Sequence, residues 1–134
     1  MLKSILKYYM KNGSLFKVFL KELEGTEKYS PVEVECYQNE KLQQTIRIVC
    51  ENVSYYRNVM KKLKLTPEDI KIKEDLRKLP IINKQIVQQN FKDFRNANFK
   101  GLVFKGYTSG TTGSPGMFLR DLKSINFENA FLWR

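Results

Sequence analysis

A chain of 134 residues has room for one domain of ordinary size, and its 42% hydrophobic and 13% aromatic content lets it bury a core instead of staying disordered. Its 24 Lys and Arg against 14 Asp and Glu give a formal charge of +10, which attracts nucleotide, nucleic acid or an acidic membrane surface without choosing among them. With no histidine anywhere, a His-based zinc site, a Ser/His triad and a His general base are excluded, and no metal-ligand set is legible.

Residues 1–30 read as a basic amphipathic arm of one or two short helices, with Gly13 as a break and Ser14 as a candidate cap. Such an arm either packs on the rest of the chain or meets a membrane or partner surface. Lys3, Lys7, Lys11, Lys17 and Lys21 interrupt its apolar residues, so it offers neither a signal-peptide core nor a transmembrane segment of ~20 apolar residues. The chain is expected to be cytoplasmic, with Cys36 and Cys50 as reduced, half-buried thiols.

Pro31 punctuates the chain, and residues 31–134 form the second expected segment. Leu42, Ile46, Val49, Val53, Tyr56, Met60 and Leu63 follow one another at spacings of four and three, which predicts a helical core stripe, or two helices broken near Ser54. Lys41, Arg47, Arg57, Lys61, Lys62 and Lys64 fall on its exposed face. In "LTPEDI", Thr66 is placed as an N-cap, Pro67 at the first helical position, and Glu68 and Asp69 where the helix dipole favours acids. A second short helix, "KEDLRKL", stops before Pro80. A third, "NKQIVQQNFKDF", is capped by Asn83 and buries Ile86, Phe91 and Phe94.

After Asn98 the texture changes. "GLVFKGY" over 101–107 has strand composition, "MFLR" over 117–120 can be extended again, and the two are expected to pair antiparallel around the stretch between them. Asp121 or Ser124 then caps a final helix with Phe127, Ala130 and Phe131 on one side. The fold class is mainly α with a small β-hairpin.

The intervening "YTSGTTGSPG", over 107–116, carries the chemistry. Phosphate is best held by inward-pointing backbone N–H groups, which need glycines where a side chain would block approach, and by small hydroxyls. Thr108, Ser109, Thr111, Thr112 and Ser114 supply hydroxyls, Gly110 and Gly113 supply room, and Pro115 stiffens the exit. A Walker-type loop fails on spacing, because Gly110 and Gly113 are three apart, no Lys follows, and the next residues favour a strand. A flexible Gly/Ser linker and a hairpin loop closing over a polyphosphate remain.

The string from Thr108 to Pro115 resembles the phosphate-binding loop of the adenylate-forming (AMP-binding) superfamily. The preceding "YYRNVMKKLKLTPEDIKIKEDLRKLPIINKQIVQQNF" is similar to the helical lead-in of its phenylacetate-coenzyme A ligase-like branch, which includes capsular polysaccharide biosynthesis proteins; together these cover about 50–134. The resemblance implies the N-terminal, incomplete part of a larger α/β adenylate-forming domain, contributing the phosphate-binding loop of an ATP-dependent, AMP-forming carboxylate ligase. Its cofactors would be ATP with Mg2+ and coenzyme A, none binding tightly to this chain alone. Whether the chain is itself an enzyme stays open, because the family's adenine pocket, acyl pocket and catalytic lysine lie outside the matching residues. The implied partners are a nucleotide phosphate and, where the chain is a split subunit and not a truncated gene or a fragment, a separate chain completing the ligase. Many superfamily members carry Lys after the loop proline, where this chain has Gly116, so Lys105 or Arg120 across the hairpin, or Mg2+, would have to supply positive charge. The alternative is a small basic binding module for nucleic acid or an anionic membrane, against which stands the interleaving of its basic residues with Glu and Asp.

Overall fold

The computed structural model describes residues 13–108 and 116–134. In chain order it contains α1 (Ser14–Thr26), α2 (Pro31–Asn52), α3 (Ser54–Leu63), two 3-10 turns (Pro67–Asp69 and Lys73–Lys78), α4 (Lys84–Gln89), β1 (Val103–Tyr107), β2 (Met117–Asp121) and α5 (Leu122–Trp133). The expected class, mainly α with a small hairpin, is what is found. These elements form two compact units, one from Pro31–Lys100 and the other from Met1–Ser30 with Gly101–Arg134.

In the Pro31–Lys100 unit, α2 opens on a proline whose fixed φ suits a first helical turn, with Glu33 near the positive end of the dipole. The apolar stripe does break before Ser54: α2 ends at Asn52, and Val53 is extended, at φ −119° and ψ 108°. The break is pinned from a distance in sequence. Val53 bridges Asn96, the Ala97 N–H donates to the Asn52 carbonyl, and the Tyr55 N–H donates to the Asp93 carbonyl. Beside it, the Tyr55 and Phe94 rings stack with centroids 4.0 Å apart.

Helix α3 ends with Lys64 in the left-handed region, φ 55°, and the Leu65 N–H returning 2.9 Å to the Met60 carbonyl, a Schellman-type stop. Leu65 is thereby delivered to the core of Ile46, Met60 and Ile70, which Leu42, Cys50 and Leu79 surround. Leu63, the last residue of the expected stripe and of α3, is exposed and does not join this core.

Thr66 and Pro67 open a helical turn as expected, but a 3-10 turn of three residues, with the Asp69 carboxylate accepting from the Thr66 N–H and hydroxyl. "KEDLRK" is likewise 3-10. Asn83 caps α4 by accepting from the Ile86 N–H at 2.9 Å. That helix stops at Gln89, earlier than expected, and Phe91 and Phe94 sit half-buried in the turns that follow.

In the other unit α1 packs along α5, with Phe19, Leu23 and Ala130 as its buried centre. Gly13, and not Ser14, is the N-cap of α1; its carbonyl accepts from Phe16 and Lys17. The buried face of α5 is Asn126 and Ala130 at helical spacing, while Phe127 and Phe131 are exposed. Phe127 nevertheless meets Phe19 edge-on, with centroids 5.4 Å apart. The two cysteines differ: Cys36 is exposed and Cys50 half-buried, and both are free.

Candidate phosphate-binding hairpin

The expected antiparallel pairing is present. Its register is Val103 with Asp121, Phe104 with Arg120, Lys105 with Leu119, Gly106 with Phe118 and Tyr107 with Met117. The Gly/Thr/Ser stretch thus leads into strand β2 and not into a helix, so the Walker-type arrangement fails on structure as well as spacing. Of the candidate phosphate-binding residues, Thr108 is placed. Ser109, Gly110, Thr111, Thr112, Gly113 and Ser114 lie outside the described residues, as does Pro115.

What is described is the base on which that stretch stands. One pair beyond the strands, the Thr108 N–H donates to the Gly116 carbonyl at 2.9 Å, and the Gly116 N–H donates to the Thr108 hydroxyl oxygen at 2.9 Å. On the same face, two pairs down, the Phe118 ring lies over Gly106: a Cβ there would sit 2.5 Å from the ring's Cε2 and Cζ. An aromatic covering a strand glycine across the ladder compensates for its missing side chain. Sequence reading singled out neither contact, although a glycine opposite an aromatic was the available signal.

A two-stranded hairpin is marginal by itself, and this one is tied at its far end. Asp121 ends β2 and caps α5 in one step: its carboxylate accepts from the Ser124 N–H at 2.7 Å, and the Ser124 hydroxyl accepts from the Asp121 N–H at 3.1 Å. Arg120 forms an ion pair with Glu128 on α5, which joins strand to helix a second time.

Neither basic residue named for charge neutralisation is well placed. Arg120 and Gly116 are four residues apart on an extended chain, about 13 Å, with the Phe118 ring between them and Glu128 holding the guanidinium. Lys105 is exposed but alternates onto the opposite face from Thr108 and Gly116. Mg2+ wants several oxygen ligands, and among the described residues no three metal-binding side chains stand together.

An open depression of 700 Å3 lies elsewhere, between the ends of α1 and α5, lined among others by Leu20, Lys21, Glu24, Trp133 and Arg134. Its mixed charges give it no evident ligand class. Burial pushes the Cys50 thiol above its ordinary pKa, with Glu51 and Glu68 adding to the effect, which disfavours the thiolate. Among the described residues no helix is long and apolar enough to cross a membrane.

No protein-family model matches the chain. Its similarity to individual proteins nonetheless points to one class, the ligases that join a carboxylic acid to a thiol. Over 106 residues, 78% of this chain, it is 33% identical to the phenylacetate-coenzyme A ligase of Aromatoleum evansii. Over 95 residues, 70% of this chain, it is 32% identical to the phenylacetate-coenzyme A ligase of Escherichia coli strain K12. The chain is phenylacetate-coenzyme A ligase-like over most of its length. The matches span 24% and 22% of those two proteins, so the chain corresponds to about a quarter of each.

Proposed function

We propose that this chain contributes the phosphate-gripping loop of an ATP-dependent, AMP-forming ligase that joins an acyl or aryl acid to coenzyme A. In that chemistry a carboxylate oxygen attacks the α-phosphate of ATP, the bond to the bridging oxygen breaks, and pyrophosphate leaves. The thiol then displaces AMP from the acyl-adenylate. The part assigned to this chain is to hold the β- and γ-phosphates in place as charge grows on the leaving pyrophosphate, which is positioning and electrostatic work needing no histidine. Its donors would be backbone N–H groups over 109–114 and the Thr111 and Thr112 hydroxyls. The chain by itself would make no adenylate, a second chain or segment supplying the rest of the site.

The observation that carries this reading is the hairpin register, which brings Thr108 and Gly116 together and so closes the Gly/Thr/Ser stretch into a loop with fixed ends. A linker has no need of paired ends. The ligase likeness of the surrounding residues supports the choice of phosphate over other anions.

The test is a calorimetric titration of the full chain with pyrophosphate and with ATP, beside a Gly110→Val variant. The expected wild-type dissociation constant is about 1 mM, roughly 4 kcal/mol, with little preference between ATP and GTP. The valine, whose Cβ blocks approach and disfavours positive φ, should abolish binding. Equal binding by the two chains would remove the loop from consideration. Carboxylate-dependent pyrophosphate release by the isolated chain would overturn its inactivity alone.

A further inference from the structure

We infer that Thr108 is a positioning residue that clasps the neck of the loop through Gly116. The consequence for phosphate rests on the reading above; the clasp itself does not.

Composition alone places Thr108 beside the other hydroxyls as one more donor to the anion. The hydrogen bonding gives it a further role, as an acceptor. In a regular antiparallel ladder a hydrogen-bonded pair exchanges two backbone bonds. Here the first is present, from the Thr108 N–H to the Gly116 carbonyl, but the second runs from the Gly116 N–H to the Thr108 hydroxyl oxygen. The hydroxyl thus acts as an acceptor toward its own hairpin, and a β-branched side chain with few χ1 states holds it there at low entropic cost.

Two consequences follow for an anion in the loop. The Gly116 N–H is already committed, so the amides left to hold phosphate come from the residues between the clasped pair. The ends of that stretch are also held together before any ligand arrives, so less order has to be gained on binding. The next pair on the same face, with the Phe118 ring over Gly106, stiffens the neck from below. Gly116 takes part through its main chain, which is compatible with the absence there of the lysine that the family resemblance leads one to expect.

The experiment compares wild type, Thr108→Val and Thr108→Ser in the full chain. Valine keeps the shape and strand preference of threonine without its oxygen, and serine keeps the oxygen. Two quantities are read: hydrogen exchange of the Gly116 amide without ligand, and affinity for inorganic pyrophosphate. Gly116 should be protected in wild type and the serine variant, and exchange about five- to tenfold faster in the valine variant, as for the loss of one hydrogen bond. Pyrophosphate affinity should fall about three- to tenfold with valine and recover with serine.

Weakened binding with unchanged Gly116 exchange would make Thr108 a direct phosphate ligand and overturn the clasp. Faster exchange with unchanged affinity would show that the clasp positions nothing, and overturn Thr108 as a positioning residue. If wild type binds no pyrophosphate while Gly116 is protected and the valine variant releases it, the phosphate reading falls and the clasp stands.

Discussion

The two units bury their cores by different routes. In the Pro31–Lys100 unit, Ile46, Met60 and Ile70 come from neighbouring stretches of chain, joined by one helix break and one Schellman-type stop. In the other unit Phe19 and Leu23 meet Ala130, and the Arg134 guanidinium donates to the Leu23 carbonyl and the Thr26 hydroxyl, partners more than a hundred residues away in sequence. Contacts close in sequence cost little loop-closure entropy, whereas distant ones must be repaid by packing. The locally built core should therefore tolerate less at its centre and more at its edges, and the core built from distant segments should be lost as a whole when its centre is disturbed.

The largest effect is expected at Ile70, which is fully buried. Ile70→Ala should cost about 3 kcal/mol, a large share of the stability of a small domain, read as a shift in the urea midpoint of the helical signal. Cys50 packs against the same core and gives a second readout: its alkylation should accelerate toward that of exposed Cys36. An unchanged midpoint would mean that this centre does not hold the unit.

Next comes Ala130, also fully buried, where α1 and α5 meet. Ala130→Leu should overpack the contact by about 1–3 kcal/mol. Trp133, the chain's single tryptophan, lies edge-on to Phe16 on α1 with centroids 6.5 Å apart, so its emission should change as α1 separates. Denaturation of the 31–100 region should stay where it was. A common shift of both signals would erase the distinction between the two cores.

The same difference decides what was legible in the sequence. The stripe from Leu42 to Met60 and its break, the Thr66 and Asn83 caps, and the pairing of 103–107 with 117–121 follow from rules that act over a few residues, and each is present, while Leu63 and Leu102 fall outside. On α5 the expected side is met in part: Ala130 is buried and Phe127 touches Phe19 of α1, but Phe131 is exposed and Asn126 is buried in its stead. Periodicity shows which faces are apolar but not which neighbour selects among them. The stop at Lys64 was missed because glycine or asparagine is the usual signal. At the hairpin, composition found the Gly/Thr/Ser stretch but assigned Thr108 by residue type alone. Its partner, Gly116, depends on register.

Lys64 supplies a smaller test of the local unit, and one of opposite sign. A non-glycine residue at φ 55° carries left-handed strain, so Lys64→Gly should stabilise the unit by about 0.5–1 kcal/mol. Loss of stability instead would mean that the lysine side chain contributes more than its backbone costs.

The smallest effect belongs to the 3-10 turns at the rim of the same unit. Lys78, through a hydrogen-bonded ion pair of 2.8 Å, and the Lys71 and Ile72 N–H groups hold the Asp75 carboxyl at about 2, below its ordinary 3.8. The Thr66 N–H and hydroxyl lower Asp69 in the same direction. Because folding depresses these values, the stabilisation is complete above the unfolded value of 3.8 and is lost as pH falls through the folded value of about 2. Asp69 is exposed and Asp75 half-buried, both at the rim of the unit, so the loss should stay local. Between pH 4 and pH 2, amide exchange should quicken at Thr66, Lys71 and Ile72, after correction for intrinsic rates, while Met60 and Ile70 stay protected. The Asp75→Asn variant should show the quickening at Lys71 and Ile72 already at pH 5. If Met60 and Ile70 open together with the turns, the rim and the centre form one cooperative structure, and the tolerance expected at the edges of the locally built core is absent.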